Sequence, residues 1–157
     1  MLWFVRHAEV ELELDRPAST WQLTEDGRAD AEEIAARLAP VSRVLSSPEP
    51  KAVGTAEPLA ARSGVEVEID SRLREVGREA NLPDYAAHRD AVRRYLAGEP
   101  VAGWEPAADA RTRFAEAIDG LDDAAVVTHA TVLSLFLGYD FERWGRIALP
   151  DVIEWRS

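Results

Sequence analysis

Two of the chain's three histidines directly follow short apolar runs. Arg6-His7 comes after Leu2-Trp3-Phe4-Val5, and Thr128-His129 comes after Ala124-Ala125-Val126-Val127. A neutral imidazole can attack phosphorus and hold the phosphoryl group covalently. Its ordinary pKa of about 6.5 leaves a neutral fraction at physiological pH. Attack also needs a ring nitrogen fixed in direction, which the rigid end of a buried strand provides. The transferred group carries negative charge on its non-bridging oxygens, so catalysis is mostly positioning and electrostatic stabilisation. Arg6 can offer those oxygens a planar fork of donors. Lys51 can add a second positive charge, and a protonated His129 can grip from the opposite side. The backbone N–H groups after His129, from Ala130 onward, begin a predicted helix and form a natural anion site. Glu75 can protonate the leaving oxygen if partial burial raises its pKa, and can then deprotonate the attacking water. Taken singly, each residue also has an ordinary structural reading. Arg6 reads as a surface ion-pair partner, Lys51 as solvated, and Glu75 as one surface acid among many. His88 reads as packing beside Tyr85 and Val92. A metal site finds no His-Glu-x-x-His or comparable spacing.

The elements that must carry these residues follow from periodicity. Short continuous apolar runs read as buried strands of a parallel sheet, whose carboxyl ends form the ligand crevice. Strands are predicted over about 2–5, 41–47, 65–69, 124–128 and 152–155. The third alternates Val65, Val67 and Ile69 with acids, as an edge strand does. Thr24 is a good N-cap for a helix bearing Ala31, Ile34, Ala35 and Leu38, ending near Pro40. Pro48 and Pro50 are expected to break the chain before a helix over 55–62, with Gly64 as its C-cap. A loop over 73–83 carries Arg74, Glu75 and Gly77. Two further helices follow, one bearing Tyr85, His88, Val92, Tyr95 and Leu96, the other starting with Pro106 in its first position. A last helix is predicted over 131–137. The order βαβαβ, helical insertion, βαβ indicates a three-layer α/β/α sandwich over a mainly parallel sheet. We expect one domain over 1–157, with the insertion at about 83–121 roofing the site. Trp21, Tyr85, His88, Arg89 and Trp104 are candidates for the pocket wall.

Composition narrows the function class. The chain has 157 residues, 46% hydrophobic and 30% charged, as a soluble globular domain does. Its formal net charge of -11 argues against nucleic acid and anionic membranes as partners. A small anionic substrate stays possible, because cations in one cleft act locally while remote charge is screened beyond roughly 8–10 Å. There is no cysteine, so disulfides and thiolate chemistry are excluded. The N-terminal apolar run is too short for a leader or a membrane span, and the expected location is cytoplasmic.

Together these residues resemble the histidine phosphatase superfamily, with its phosphoglycerate-mutase-like fold. Arg6-His7-Ala8-Glu9 is similar to that family's Arg-His-Gly-(Glu/Gln) signature. Leu23-Thr24 through Gly27, with Ala31 and Leu38, is similar to its Leu-Thr-x-x-Gly-x-x-Gln-Ala helix, with Asp30 in place of Gln. Ser46-Ser47-Pro48, Lys51-Ala52 and Thr55-Ala56-Glu57 resemble its Ser-Ser-Pro-x-x-Arg-Ala-x-x-Thr-Ala segment. Leu73-Arg74-Glu75 resembles its Leu-x-Glu, and Val127-Thr128-His129-Ala130 its second histidine strand. The resemblance implies a phosphatase in which His7 accepts the phosphoryl group, Arg6 and His129 bind it, and Glu75 donates the proton, with no metal or organic cofactor. It implies a small phosphorylated substrate, a phosphate monoester or phosphoramidate. Four departures stand out. Ala8 replaces a glycine and is expected to crowd the backbone. Lys51 replaces an arginine and loses its fork. Leu12 replaces a frequent asparagine, and Ala130-Thr131 replaces a glycine-rich continuation. The alternatives are a phosphoglycerate-mutase-type isomerase and a catalytically impaired phosphate-binding domain.

Overall fold

One sheet runs through the middle of the protein. Its strands are β1 (Leu2–Arg6), β2 (Arg43–Ser46), β3 (Val67–Ile69), β4 (Ala124–Thr128) and β5 (Asp151–Trp155), in spatial order β3-β2-β4-β1-β5. The computed structural model describes residues 1–156. The pairs β1–β4, β2–β4 and β2–β3 are parallel, and β5 runs antiparallel to β1 at the edge. The predicted strands are thus all present, and the mainly parallel α/β class holds.

Side chains alternate between the two faces, and each face is covered by helices. Leu2, Phe4, Leu45, Ala124 and Val126 point to one side. There they meet Phe114, Ala117 and Ile118 of α4 (Ala107–Ile118) and Val132 and Leu133 of α5 (Ala130–Leu137). Val5, Val44, Ala125 and Val127 point the other way, toward α1 (Glu25–Leu38) and α2 (Pro50–Ser63). The alanines of β4 let it sit at the centre of the sheet, buried at all five positions. α3 (Tyr85–Leu96) and the short α6 (Phe141–Arg146) lie toward the crevice end, where Val92 and Trp144 share a small core.

Several boundaries differ from expectation. α2 starts at Pro50, not near Thr55, because proline's fixed φ suits the first helical turn. Pro106 is the N-cap of α4, one position before the helix. Within the expected roof at 83–121, α4 instead covers the sheet through Phe114, whose ring lies 5.8 Å from that of Phe4. α6 was not anticipated, although Asp140 caps it by accepting from the Arg143 N–H.

The start of α1 fixes the chain just after His7. The Thr24 N–H donates to the Glu9 carbonyl (3.0 Å), and the Thr24 hydroxyl accepts from the Gly27 N–H (2.9 Å). A Cβ on Gly27 would lie 2.3 Å from the Glu9 carbonyl oxygen, so only glycine permits this approach. Ala8, expected to crowd the backbone, instead buries its methyl beside Leu23 and Ala31, and its N–H donates to Thr55 Oγ1 (3.0 Å).

Candidate active site

Parallel register brings the ends of three strands level. Arg6 pairs with Thr128, and Ser46 pairs with Val127. The ladder runs one residue further, with the His7 N–H on the Thr128 carbonyl (3.1 Å) and the Ser47 N–H on the Val127 carbonyl (3.0 Å). His7, Ser47 and His129 therefore leave the sheet side by side. The two imidazole rings are 5.2 Å apart between centroids and tilted by 58°. Sequence reasoning expected these rings to converge, and they do.

His7 is buried, and its Nδ1 lies 2.8 Å from the Ala8 carbonyl oxygen. A carbonyl only accepts, so Nδ1 carries the proton and the neutral ring presents a lone pair at Nε2. Nε2 takes no hydrogen bond from the described residues. The His7 pKa lies well below its ordinary value, first because burial disfavours the cation, then because His129, Lys51 and Arg6 are close. The ring is therefore neutral and aimed, as a nucleophile must be.

His129 differs from the protonated grip expected of it. It is fully buried, its pKa is lowered to about 3 chiefly by burial, and it is neutral in the resting protein. Its Nε2 is 2.8 Å from Ser47 Oγ and 3.7 Å from Glu49 Oε2, while its Nδ1 is buried without a partner. Ser47 thus orients the second ring. The Ser-Ser-Pro motif contained that serine, but its side-chain partner lies 82 positions away.

Arg6 donates through Nη1 to the Ile147 carbonyl, and its Nε is buried without a partner. It forms no ion pair among the described residues. Burial lowers its pKa, against the attraction of Glu75. Its unused donors are available to an oxyanion.

Glu75 and Lys51 need correction. Glu75 accepts from the N–H groups of Val76 (2.8 Å), Thr131 (3.0 Å) and Val132 (2.8 Å). Burial pushes its pKa up, but His129, Arg78 and these backbone donors outweigh burial and hold it below the ordinary value. Glu75 is therefore a carboxylate in the resting protein, not the raised acid expected. It also consumes two of the N–H groups predicted to bind the anion. The Ala130 N–H keeps no protein acceptor among the described residues. Lys51, expected at the rim, is buried, with its ammonium 2.9 Å from Glu49 Oε2 and 2.6 Å from the Ala18 carbonyl oxygen. Leu12, at the position expected of an asparagine, is exposed.

A cavity of about 450 Å³ is lined by Glu49 and Glu75 of this site together with Arg16, Arg74, Arg78 and Asn81, while Arg6, His7, Lys51 and His129 are not in its wall. Arg78 was missed, since a single arginine in a charged loop carries no signal of its own. Its guanidinium lies over Trp104, 5.6 Å from the ring centroid, and donates to His88 Nδ1 (3.0 Å). His88 packs between Tyr85, Trp104 and Trp144, and Arg89 lies against Tyr85, Phe141 and Trp144. Four of the proposed wall residues thus form one cluster; the fifth, Trp21, stands over Lys51 at 5.7 Å.

The buried rings make stability depend on pH. In the unfolded chain each histidine takes a proton near pH 6.5. In the folded chain His129 does so only near about 3 and His88 near about 4, with His7 also well below its ordinary value. Between those limits the unfolded state binds more protons, so stability falls as pH drops below about 6.5 and is unaffected above it. His129 should contribute on the order of 2 kcal/mol of loss between pH 7 and pH 5, and His7 adds in the same direction. Urea midpoints at the two pH values test this.

Comparison with known proteins places this geometry. None of the curated proteins matches the chain. Among solved structures, a mycobacterial glucosyl-3-phosphoglycerate phosphatase superposes with a TM-score of 0.70 at 22% identity, over 94% of this chain and 84% of that one. Bacillus stearothermophilus YhfR superposes with a TM-score of 0.75 at 21% identity, over 99% and 91%. A phosphoglycerate mutase from Bacillus anthracis gives 0.69 at 20% identity, over 87% and 77%. These likenesses carry the phosphoglycerate-mutase-like fold. The sequence model of the histidine phosphatase superfamily (branch 1) spans residues 2–152, which contain Arg6, His7, Glu75 and His129. By that match over nearly its whole length, the chain belongs to the histidine phosphatase superfamily.

Proposed function

We propose that the protein is a phosphatase that hydrolyses a phosphate monoester or phosphoramidate through a phosphohistidine on His7. The observation that carries this reading is the pair of neutral rings 5.2 Å apart, with the His7 lone pair unoccupied beside the free donors of Arg6. In the first step His7 Nε2 bonds to phosphorus as the bond to the leaving oxygen breaks. Arg6, His129 and the Ala130 N–H hold the non-bridging oxygens, with Lys51 as a further cation once released from its carboxylate. Glu75 supplies the proton to the leaving oxygen. A dianion arriving beside its carboxylate disfavours the charged form and so drives proton uptake. In the second step water attacks phosphorus, Glu75 takes the water's proton, and His7 leaves as neutral imidazole.

The related solved structures include one phosphatase of a phosphorylated sugar acid, which supports a small phosphorylated metabolite as substrate. The net charge of -11 supports the exclusion of nucleic acid and anionic membranes as partners. Among the described residues no helix is long and apolar enough to cross a membrane. A cytoplasmic location and a single domain over 1–157 complete the proposal.

The test is a panel of small phosphate esters that includes the phosphoglycerates, assayed for phosphate release and for isomer formation. Phosphate release without isomerisation is expected. Isomerisation without release assigns a mutase. The Lys51–Glu49 pair favours one further reading, a phosphate-binding domain with little turnover, which predicts that phosphate binds while no ester is cleaved.

A further inference from the structure

Glu49 places a carboxylate among the groups proposed to hold the phosphoryl group. It occupies the N-cap position of α2, yet its side chain does not cap that helix. It turns inward and is about nine-tenths buried. Its Oε1 accepts from the Glu75 N–H at 3.3 Å. Its Oε2 lies 2.9 Å from the Lys51 ammonium and 3.7 Å from His129 Nε2, without a well-directed hydrogen bond. Lys51 spends another donor on the Ala18 carbonyl. The ammonium is therefore neutralised from within, by an oxygen whose own bonding is incomplete.

We propose that Glu49 is a resident anion of this pocket, a latch that holds Lys51 until a phosphate displaces it. The inference rests on the phosphoryl-transfer reading of the site and adds the residue that sets its affinity. A tetrahedral oxyanion offers Lys51 and His129 more acceptor oxygens than one carboxylate oxygen does. The exchange therefore replaces one charge pair by another and leaves Glu49 unpaired. That opposing cost weakens phosphate binding. Weak binding speeds departure of inorganic phosphate after the second step. It also makes Lys51 a cation recruited by substrate, in contrast to Arg6, which has no carboxylate to leave.

Removing the charge of Glu49 while keeping its shape tests the latch. Inorganic phosphate is titrated calorimetrically into the wild type, Glu49→Gln, Lys51→Met and the double variant. Glu49→Gln should tighten phosphate about tenfold, or make binding measurable where the wild type shows none. In the Lys51→Met background the same change should alter affinity less than twofold, because no ammonium remains to release. Glu49→Asp, which keeps the charge but shortens the reach, should fall between wild type and Glu49→Gln and serves if the amide variant misfolds. Equal tightening in both backgrounds would mean simple repulsion and overturn the latch. So would unchanged or weaker binding by Glu49→Gln, the result expected of a purely structural ion pair. Ester hydrolysis is assayed in parallel. Hydrolysis by the wild type with no tightening in Glu49→Gln refutes the latch alone, whereas tightening without hydrolysis by any form refutes the phosphatase reading alone.

Discussion

His7→Ala should abolish turnover, with kcat falling on the order of 10⁴–10⁶-fold, as removal of a nucleophile does elsewhere. The reason is geometric as well as chemical. The other neutral ring there, His129, has its Nε2 engaged by Ser47 and its Nδ1 fully buried, so neither nitrogen is presented as the Nε2 of His7 is. The loss should be accompanied by disappearance of a base-stable, acid-labile phosphoenzyme, detected after brief mixing with a labelled ester. The protein should stay folded, because the ring's hydrogen bond is to the carbonyl of the next residue. A thermal midpoint close to wild type is the control. Turnover that survives His7→Ala refutes the covalent mechanism.

Arg113→Met should be the most damaging substitution away from the reacting atoms. Arg113 projects from α4, and all five of its N–H donors are used. Nε and one Nη2 donor hold Glu105 (2.8 Å each), both Nη1 donors hold the carbonyls of Arg72 (2.6 Å) and Arg74 (2.8 Å), and the other Nη2 donor holds the carbonyl of Glu75 (3.0 Å). Glu105 in turn accepts from the Gly77 N–H (3.1 Å). Arg113 thus ties the loop that carries Glu75 to α4 at three carbonyls, and Glu105, just before α4, holds it at the Gly77 N–H. Methionine would leave the largely buried Glu105 with only the half-exposed Arg74 guanidinium (3.3 Å) and the Gly77 N–H, and would strand three carbonyls. We expect a stability loss of about 3–5 kcal/mol, read by urea unfolding. Lysine, a point charge without the fork, should recover only part of it. Because the backbone of Glu75 would drift, kcat should fall about 10–100-fold on alkyl phosphates and much less on aryl esters whose leaving group needs no proton. A uniform loss across both ester classes would show that Arg113 acts on folding only.

These two residues also mark where the sequence was and was not readable. β4 was legible because continuous apolar residues need no distant information, and Thr24 was legible because a cap acts within four positions. His7 and His129 were legible because each directly follows such a strand. Arg113 was not. It reads as a polar position beside the Phe114 stripe, and three of its acceptors lie 38–41 residues upstream. The carboxylates show the same limit. The position of Glu75 was foreseen from its motif, but its protonation was not, because backbone donors from α5 fix it and no local pattern reports them. The sequence pattern gives the sign of Lys51 and so implies a rim cation. Its burial against Glu49, only two positions away, depends on the turn of the Glu49 side chain into the pocket. The antiparallel direction of β5 was likewise invisible, since period-two burial looks the same in either direction.

The Arg6 guanidinium takes its bearing from the Ile147 carbonyl, 141 positions further along the chain. During synthesis His7 therefore emerges long before the contact that aims its arginine neighbour. A nascent chain halted before α6 would carry His7 without a trained guanidinium. Under the proposed chemistry such a chain would be inert toward phosphate esters until Ile147 has been made.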